Sequence, residues 1–193
     1  MLNTKDKILI ASYNLFCKHG EHFSLSQVAE SIGIKKQSIY NYYEKKEYLI
    51  KDLIKIELNK FFIEINEVVN GTINLSIKEQ LKALGSASIF CAMSNRRVYF
   101  RKYLSLAILR DDMKDIMLLV DNYKNNFENK FVELIQEGIK REELKKVNVN
   151  FIARYYITMI RGLLDGLKVT IDDQSNIEFF NQFYEDFWKR IAK

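Results

Sequence analysis

Apolar residues recur at helical spacing along almost the whole chain. Ile8, Leu9, Ala11, Ser12, Leu15 and Phe16 fall at i, i+1, i+3, i+4, i+7 and i+8, which is one face of a helix of period 3.6. This predicts a first helix from Thr4 to Lys18, with Gly20 as its C-cap. Ser24-Leu25-Ser26-Gln27 has the form of a capping box and opens a second helix, with Leu25, Val28, Ala29 and Ile32 inward and a stop at Gly33. A short third helix is expected over Lys36–Tyr42, and a long fourth over Lys45–Asn70, closed by Gly71. A second capping box, Ser76 to Glu79, opens a fifth helix that ends near Met93. Asn95 can cap a sixth helix to Arg110, and a seventh is expected over Asp112–Glu137, closed by Gly138. An eighth covers Val149–Lys168, and a third capping box at Ser175–Glu178 opens a ninth that runs to the C-terminus. No stretch alternates as a strand does. The prediction is an all-α protein of about nine helices, with a three-helix domain over residues 1–46 and a helical bundle over 47–193.

Two two-turn helices flank Gly33-Ile34, which is the size of a helix-turn-helix. Ala29 is small where those helices must approach, and Gly33 suits a left-handed turn. With Ile34 and Ile39 inward, the third helix turns Lys36, Gln37, Ser38, Asn41 and Tyr42 outward. These are hydrogen-bonding groups rather than aliphatics, on a helix that fits a major groove. Gln can bond adenine with two hydrogen bonds, and Lys can donate to guanine. Tyr40, Tyr42 and Lys46 suit phosphates, as do the N–H groups that open the second and fourth helices.

Composition narrows the alternatives. The 193 residues contain no proline, which favours uninterrupted helices. A net charge of +5 permits nucleic-acid or anionic-membrane partners. Cys17 and Cys91 sit in apolar helical patterns and read as small buried hydrophobes, not a disulfide. His19 and His22 with two scattered cysteines make no metal-ligand spacing, and no cofactor is expected. No secretory leader and no membrane-length apolar run are visible, so a cytoplasmic protein without membrane contact is expected. There is no Gly-rich phosphate loop, His-carboxylate cluster or nucleophile motif, which argues against an enzyme.

The N-terminal segment resembles the TetR family of bacterial transcriptional regulators. The resemblance rests on Ile8-x-x-Ala11-x-x-x-Leu15-Phe16-x-x-x-Gly20, Val28-Ala29-x-x-x-Gly33-Ile34 and Ile39-Tyr40-Asn41-Tyr42-Tyr43-x-x-Lys46-x-x-Leu49. It implies a homodimer on a pseudo-palindromic operator in double-stranded DNA, by default a repressor. It places Lys36, Gln37 and Ser38 toward bases, and Ser24, Tyr40, Asn41, Tyr42 and Lys46 toward phosphates. Lys35 departs from the family, which usually has Ser or Thr there to cap the third helix. A lysine cannot accept that hydrogen bond, though it can add a phosphate contact.

For the bundle, the resemblance implies dimerisation through the eighth and ninth predicted helices. The candidate interface is Gly162 and Gly166, four apart, with Phe180, Phe183, Tyr184, Phe187 and Trp188. Gly162 reads equally as a glycine merely tolerated in a helix. The resemblance also implies a pocket for a small apolar or aromatic effector, with candidate lining residues Phe90, Met93, Tyr103, Leu106, Met117, Tyr123, Tyr156 and Met159. Aromatics and methionines at helical spacing also fill ordinary bundle cores. Arg161 reads as an anion partner or as plain surface. An interaction protein or coactivator that has the fold but no effector is the competing reading.

Overall fold

A computed structural model describes residues 2–93, 100, 103–104, 110–166 and 173–193, without the side chains of Ala92, Met93, Gly166 and Asp173–Ser175. Its described residues form eight α-helices and no strand: α1 (Thr4–His19), α2 (Leu25–Ser31), α3 (Lys36–Tyr40), α4 (Lys46–Thr72), α5 (Ile77–Met93), α6 (Lys114–Lys140), α7 (Val149–Gly166) and α8 (Asp173–Ile191). Short 3-10 turns cover Gly20–His22 and Asp111–Met113. The helix expected over residues 95–110 lies largely outside the described residues.

The helix starts follow from their caps. Asn3 Oδ1 accepts from the Asp6 N–H at 2.9 Å and opens α1. At α2 the capping box is complete: Gln27 N–H donates to Ser24 Oγ at 3.2 Å, and Ser24 N–H donates to Gln27 Oε1 at 2.7 Å. Ser76 and Glu79 form the equivalent pair before α5. At α8 the expected start is corrected, because the helix begins at Asp173, two residues ahead of Ser175.

Two helix ends also differ from expectation. Gly71 and Gly138 lie inside α4 and α6 instead of closing them. A single glycine costs a helix only about 1 kcal/mol, too little by itself to end it. The reversal after α6 falls at Glu142, which takes φ 61°, while the Gly138 carbonyl accepts from the N–H groups of Glu143 and Leu144 at 2.9 and 3.1 Å. α3 ends at Tyr40, two residues short of the predicted limit.

The chain divides into two compact units, Met1–Lys60 with Asn95–Leu119, and Phe61–Ser94 with Val120–Lys193. In the first, Ile8, Phe16, Val28, Ile39 and Leu49 have no exposed surface, and Phe16 stacks on Phe100 with ring centroids 4.4 Å apart. In the second, α5, α6, α7 and α8 supply a core built around Tyr156. Its ring stacks on Phe187 at 4.4 Å and meets Phe131 edge-on at 5.3 Å. Its hydroxyl donates to the Leu81 carbonyl at 3.2 Å, so this buried polar atom is satisfied. Burial holds the Tyr156 hydroxyl well above its ordinary pKa, so it stays a donor. The chain end is tied in by Lys145 N–H donating to Ile191 O and Lys193 N–H donating to Glu143 O, at 2.9 and 3.1 Å.

Gly85 on α5 leaves the space that Tyr156 fills. A Cβ there would collide with the Tyr156 hydroxyl and come within 3.1 Å of Phe180 Cζ. Gly85→Ala should therefore destabilise the protein by about 1–3 kcal/mol, despite the better helix propensity of alanine. Urea unfolding of the variant checks this, and an unchanged or raised midpoint would refute the packing described for Tyr156.

Candidate nucleic-acid interface

α3 has only five residues, too short to be stable alone, so its position is set by what lies under it. Ile39 is fully buried, and Tyr43 just beyond the helix is nearly so. Tyr43 Oη donates to Asp52 Oδ2 of α4 at 3.1 Å. Burial and then the Asp52 carboxylate push the Tyr43 hydroxyl well up, so it keeps its proton and the bond. On the α2 side, Gly33 turns the chain at φ 71°, a conformation that costs glycine nothing. The turn is closed by Gly33 N–H donating to Glu30 O at 3.2 Å and Ile34 N–H donating to Ala29 O at 3.0 Å.

That underside leaves a polar outer face. Lys35, Lys36, Gln37 and Asn41 are exposed, and Ser38 is half-buried. Tyr40 and Tyr42 are 46% and 45% exposed, a large fraction for tyrosines flanking a packed helix. Lys35 stands at the N-cap of α3 in extended conformation and makes no side-chain capping bond, as its chemistry requires. Ser24 caps α2 and remains exposed. Lys36, Ser24, Tyr40 and Lys46 come together around an open cleft of about 460 Å3, together with His22, Lys45, Glu44 and Glu47.

Lys46 is tied down more firmly than the sequence suggests. Its Nζ donates to the carbonyls of Glu21 at 2.6 Å and Phe23 at 3.3 Å, and lies 5.7 Å from the centre of the Phe23 ring. Two of its three N–H donors thus hold the turn before α2. His22 and Lys45 line the same cleft, although the sequence reading does not single them out as contacts. The Lys45-Lys46 pair was the available signal, but charge adjacent in sequence does not show which member turns inward.

The remaining candidates are distributed differently. Of the expected pocket residues, Tyr103 and Met117 fall in the first unit, and Phe90, Tyr123, Tyr156 and Met159 in the second. Tyr103 and Tyr156 are buried, and their hydroxyls are bonded to Arg110 and to the Leu81 carbonyl. Tyr123 is half-buried against Phe62, Met117 and Met159 are half-buried, and Phe90 is 74% exposed. Leu106 and the Met93 side chain lie outside the described residues. Of the expected interface residues, Phe180, Tyr184 and Phe187 are buried in the core of their own chain. Tyr184 donates to the Lys78 carbonyl. Phe183 and Trp188 are half-buried, Gly162 is exposed, and Gly166 has no described side-chain environment.

Residues 8–53 match the pattern of the family described as bacterial regulatory proteins, tetR family. No curated protein matches the sequence. The fold is that of several solved transcriptional regulators. One from Cytophaga hutchinsonii is 24% identical, with 98% of each chain covered and a TM-score of 0.69. One of the TetR/AcrR family from Thermobifida fusca is 16% identical, with 95% of this chain and 96% of that chain covered and a TM-score of 0.76. A putative transcriptional regulator from Saccharomonospora viridis, solved in complex with choline, is 15% identical, with 98% and 97% covered and a TM-score of 0.78. Residues 8–53 thus match the tetR family pattern, and the chain as a whole has the fold of TetR-type regulators.

Removal of the Ser24 cap should loosen α2 locally. Ser24→Ala is expected to cost about 1 kcal/mol and to speed amide exchange at Gln27, whose N–H the serine accepts. Unchanged exchange at Gln27 would show that the capping box does not hold this helix.

Proposed function

We propose that the protein is a DNA-binding transcriptional regulator that reads a pseudo-palindromic operator in double-stranded DNA as a homodimer, with α3 as its recognition helix. The observation that carries this reading is the division of α3 and the two residues after it into a fully buried Ile39 underneath and exposed Lys36, Gln37, Tyr40, Asn41 and Tyr42 outside. In this reading Lys36, Gln37 and Ser38 face base edges, and Ser24, Lys35, Tyr40, Asn41, Tyr42 and Lys46 face phosphates. Two copies are supported by the apolar surface that α7 and α8 leave uncovered. Phe151 is 65% exposed and Tyr155 38%, stacked on each other, and Phe179 is 57% exposed. Exposed aromatics in this number mark an interface.

Repression is the family default, with a small apolar or aromatic effector as the proposed releasing ligand, and the choline held by one structural neighbour supports a small-molecule effector without supporting that chemistry. The engaged hydroxyls of Tyr103 and Tyr156 favour a second reading, a regulator or coactivator without an effector. No catalytic role is proposed.

A genomic-fragment binding selection at moderate salt tests the proposal, with Gln37→Ala/Tyr42→Ala beside the wild type. Wild type should enrich a sequence with two inverted half-sites, and the double variant should not. Enrichment of a single half-site would argue against the dimer, and equal enrichment by both proteins would remove α3 from the interface.

A further inference from the structure

Glu21 lies in the 3-10 turn that joins α1 to α2, and it is gripped from two sides. Its carboxylate accepts from Arg110 Nη1 at 3.1 Å. Its main-chain carbonyl accepts from Lys46 Nζ, at the first residue of α4. Arg110 is itself oriented by Asp112, which takes Nε at 3.1 Å and Nη2 at 2.9 Å in a two-pronged pair. The third edge of the guanidinium is the one that reaches Glu21, and it also donates to Tyr103 Oη at 3.2 Å. A rigid planar fork held on one edge can aim the other, which a lysine at position 110 could not do.

The Arg110 and Glu21 side chains are 36% and 44% exposed. Ion pairs so open to water add little to folding stability. What this one does is geometric. The turn it holds leads directly into Ser24, the N-cap of α2, and carries the carbonyls that anchor Lys46 beside the cleft. We infer that Arg110 is a positioning residue for DNA recognition: by holding the Glu21 carboxylate, it sets the turn from which Ser24 and Lys46 are presented. Arg110 touches no DNA in this arrangement and acts through Glu21. The inference rests on the DNA-binding reading above.

Arg110→Ala, Glu21→Ala and the double variant test it, with operator binding measured over a range of salt and amide exchange measured across residues 20–24. Each single variant should lower operator affinity roughly tenfold, within the usual range of couplings between sites. The double variant should lose no more than either single one, because both break the same contact. The slope of log affinity against log salt should change alike in Arg110→Ala and Glu21→Ala, since both act on Ser24 and Lys46 through the same turn. Exchange in the turn should quicken in all three proteins. Arg110→Lys keeps the charge without the fork and should weaken binding while melting like the wild type. If Arg110→Ala fails to fold, Glu21→Ala decides alone. Unchanged affinity, additive losses, or a slope lowered by about one in Arg110→Ala but not in Glu21→Ala would overturn the inference, the last because Arg110 would then contact a phosphate itself. Should the wild type bind no operator, the DNA-binding reading fails separately. The exchange data then decide the latch: quickened exchange in both single variants supports it, and unchanged exchange overturns it.

Discussion

A helix of five residues cannot hold its own shape in water. Everything about the proposed interface depends on how α3 is nevertheless fixed. Ile39 is driven inward with no surface left exposed, Tyr43 follows it and is bonded to Asp52, and the Gly33 turn delivers the chain from α2. Because these few contacts carry the folding, the outward side chains are free of structural duty. Lys36, Gln37, Asn41 and Tyr42 can then be chosen for what they recognise. A buried apolar anchor under a polar reading face is the physical arrangement a recognition helix requires.

Around α3, charge works in two ways that a count of basic residues does not separate. Lys35 and Lys36 project outward from the helix start. Lys46, equally basic, turns two donors inward to the carbonyls of Glu21 and Phe23. Arg110 makes no such outward projection and joins Glu21, Asp112 and Tyr103 in one cluster. The net charge of +5 therefore does not measure what the interface itself offers to phosphates.

Most of the N-terminal architecture was legible before the structure, because it is written locally. The Ser24–Gln27 box, the Gly20 and Gly33 turns and the inward spacing of Val28, Ala29 and Ile39 each act within a few residues. Long-range pairings were not legible. Nothing in the sequence couples Glu21 to Arg110, or Gly85 to the hydroxyl of Tyr156. The aromatic stripe of α8 shows the same limit. Periodicity identifies Phe180, Tyr184 and Phe187 as an apolar face but cannot tell a core from an interface. The structure buries these three within the chain and leaves Phe151, Tyr155 and Phe179 on the surface. Glycines mislead in the opposite sense, since Gly71 and Gly138 look like stops and lie inside helices.

The most direct test of the central claim is the salt dependence of DNA binding, measured for wild type and Lys36→Gln on one duplex. If the exposed face of α3 meets DNA, affinity falls steeply and linearly on a log–log scale as counterions return to the phosphates. For Lys36→Gln, two results fit the account. A slope shallower by about one means that Lys36 pairs with a phosphate, and an unchanged slope with weaker binding means that it reads a base. A wild-type affinity that is flat in salt, or a Lys36→Gln protein indistinguishable from wild type in both slope and strength, would contradict it.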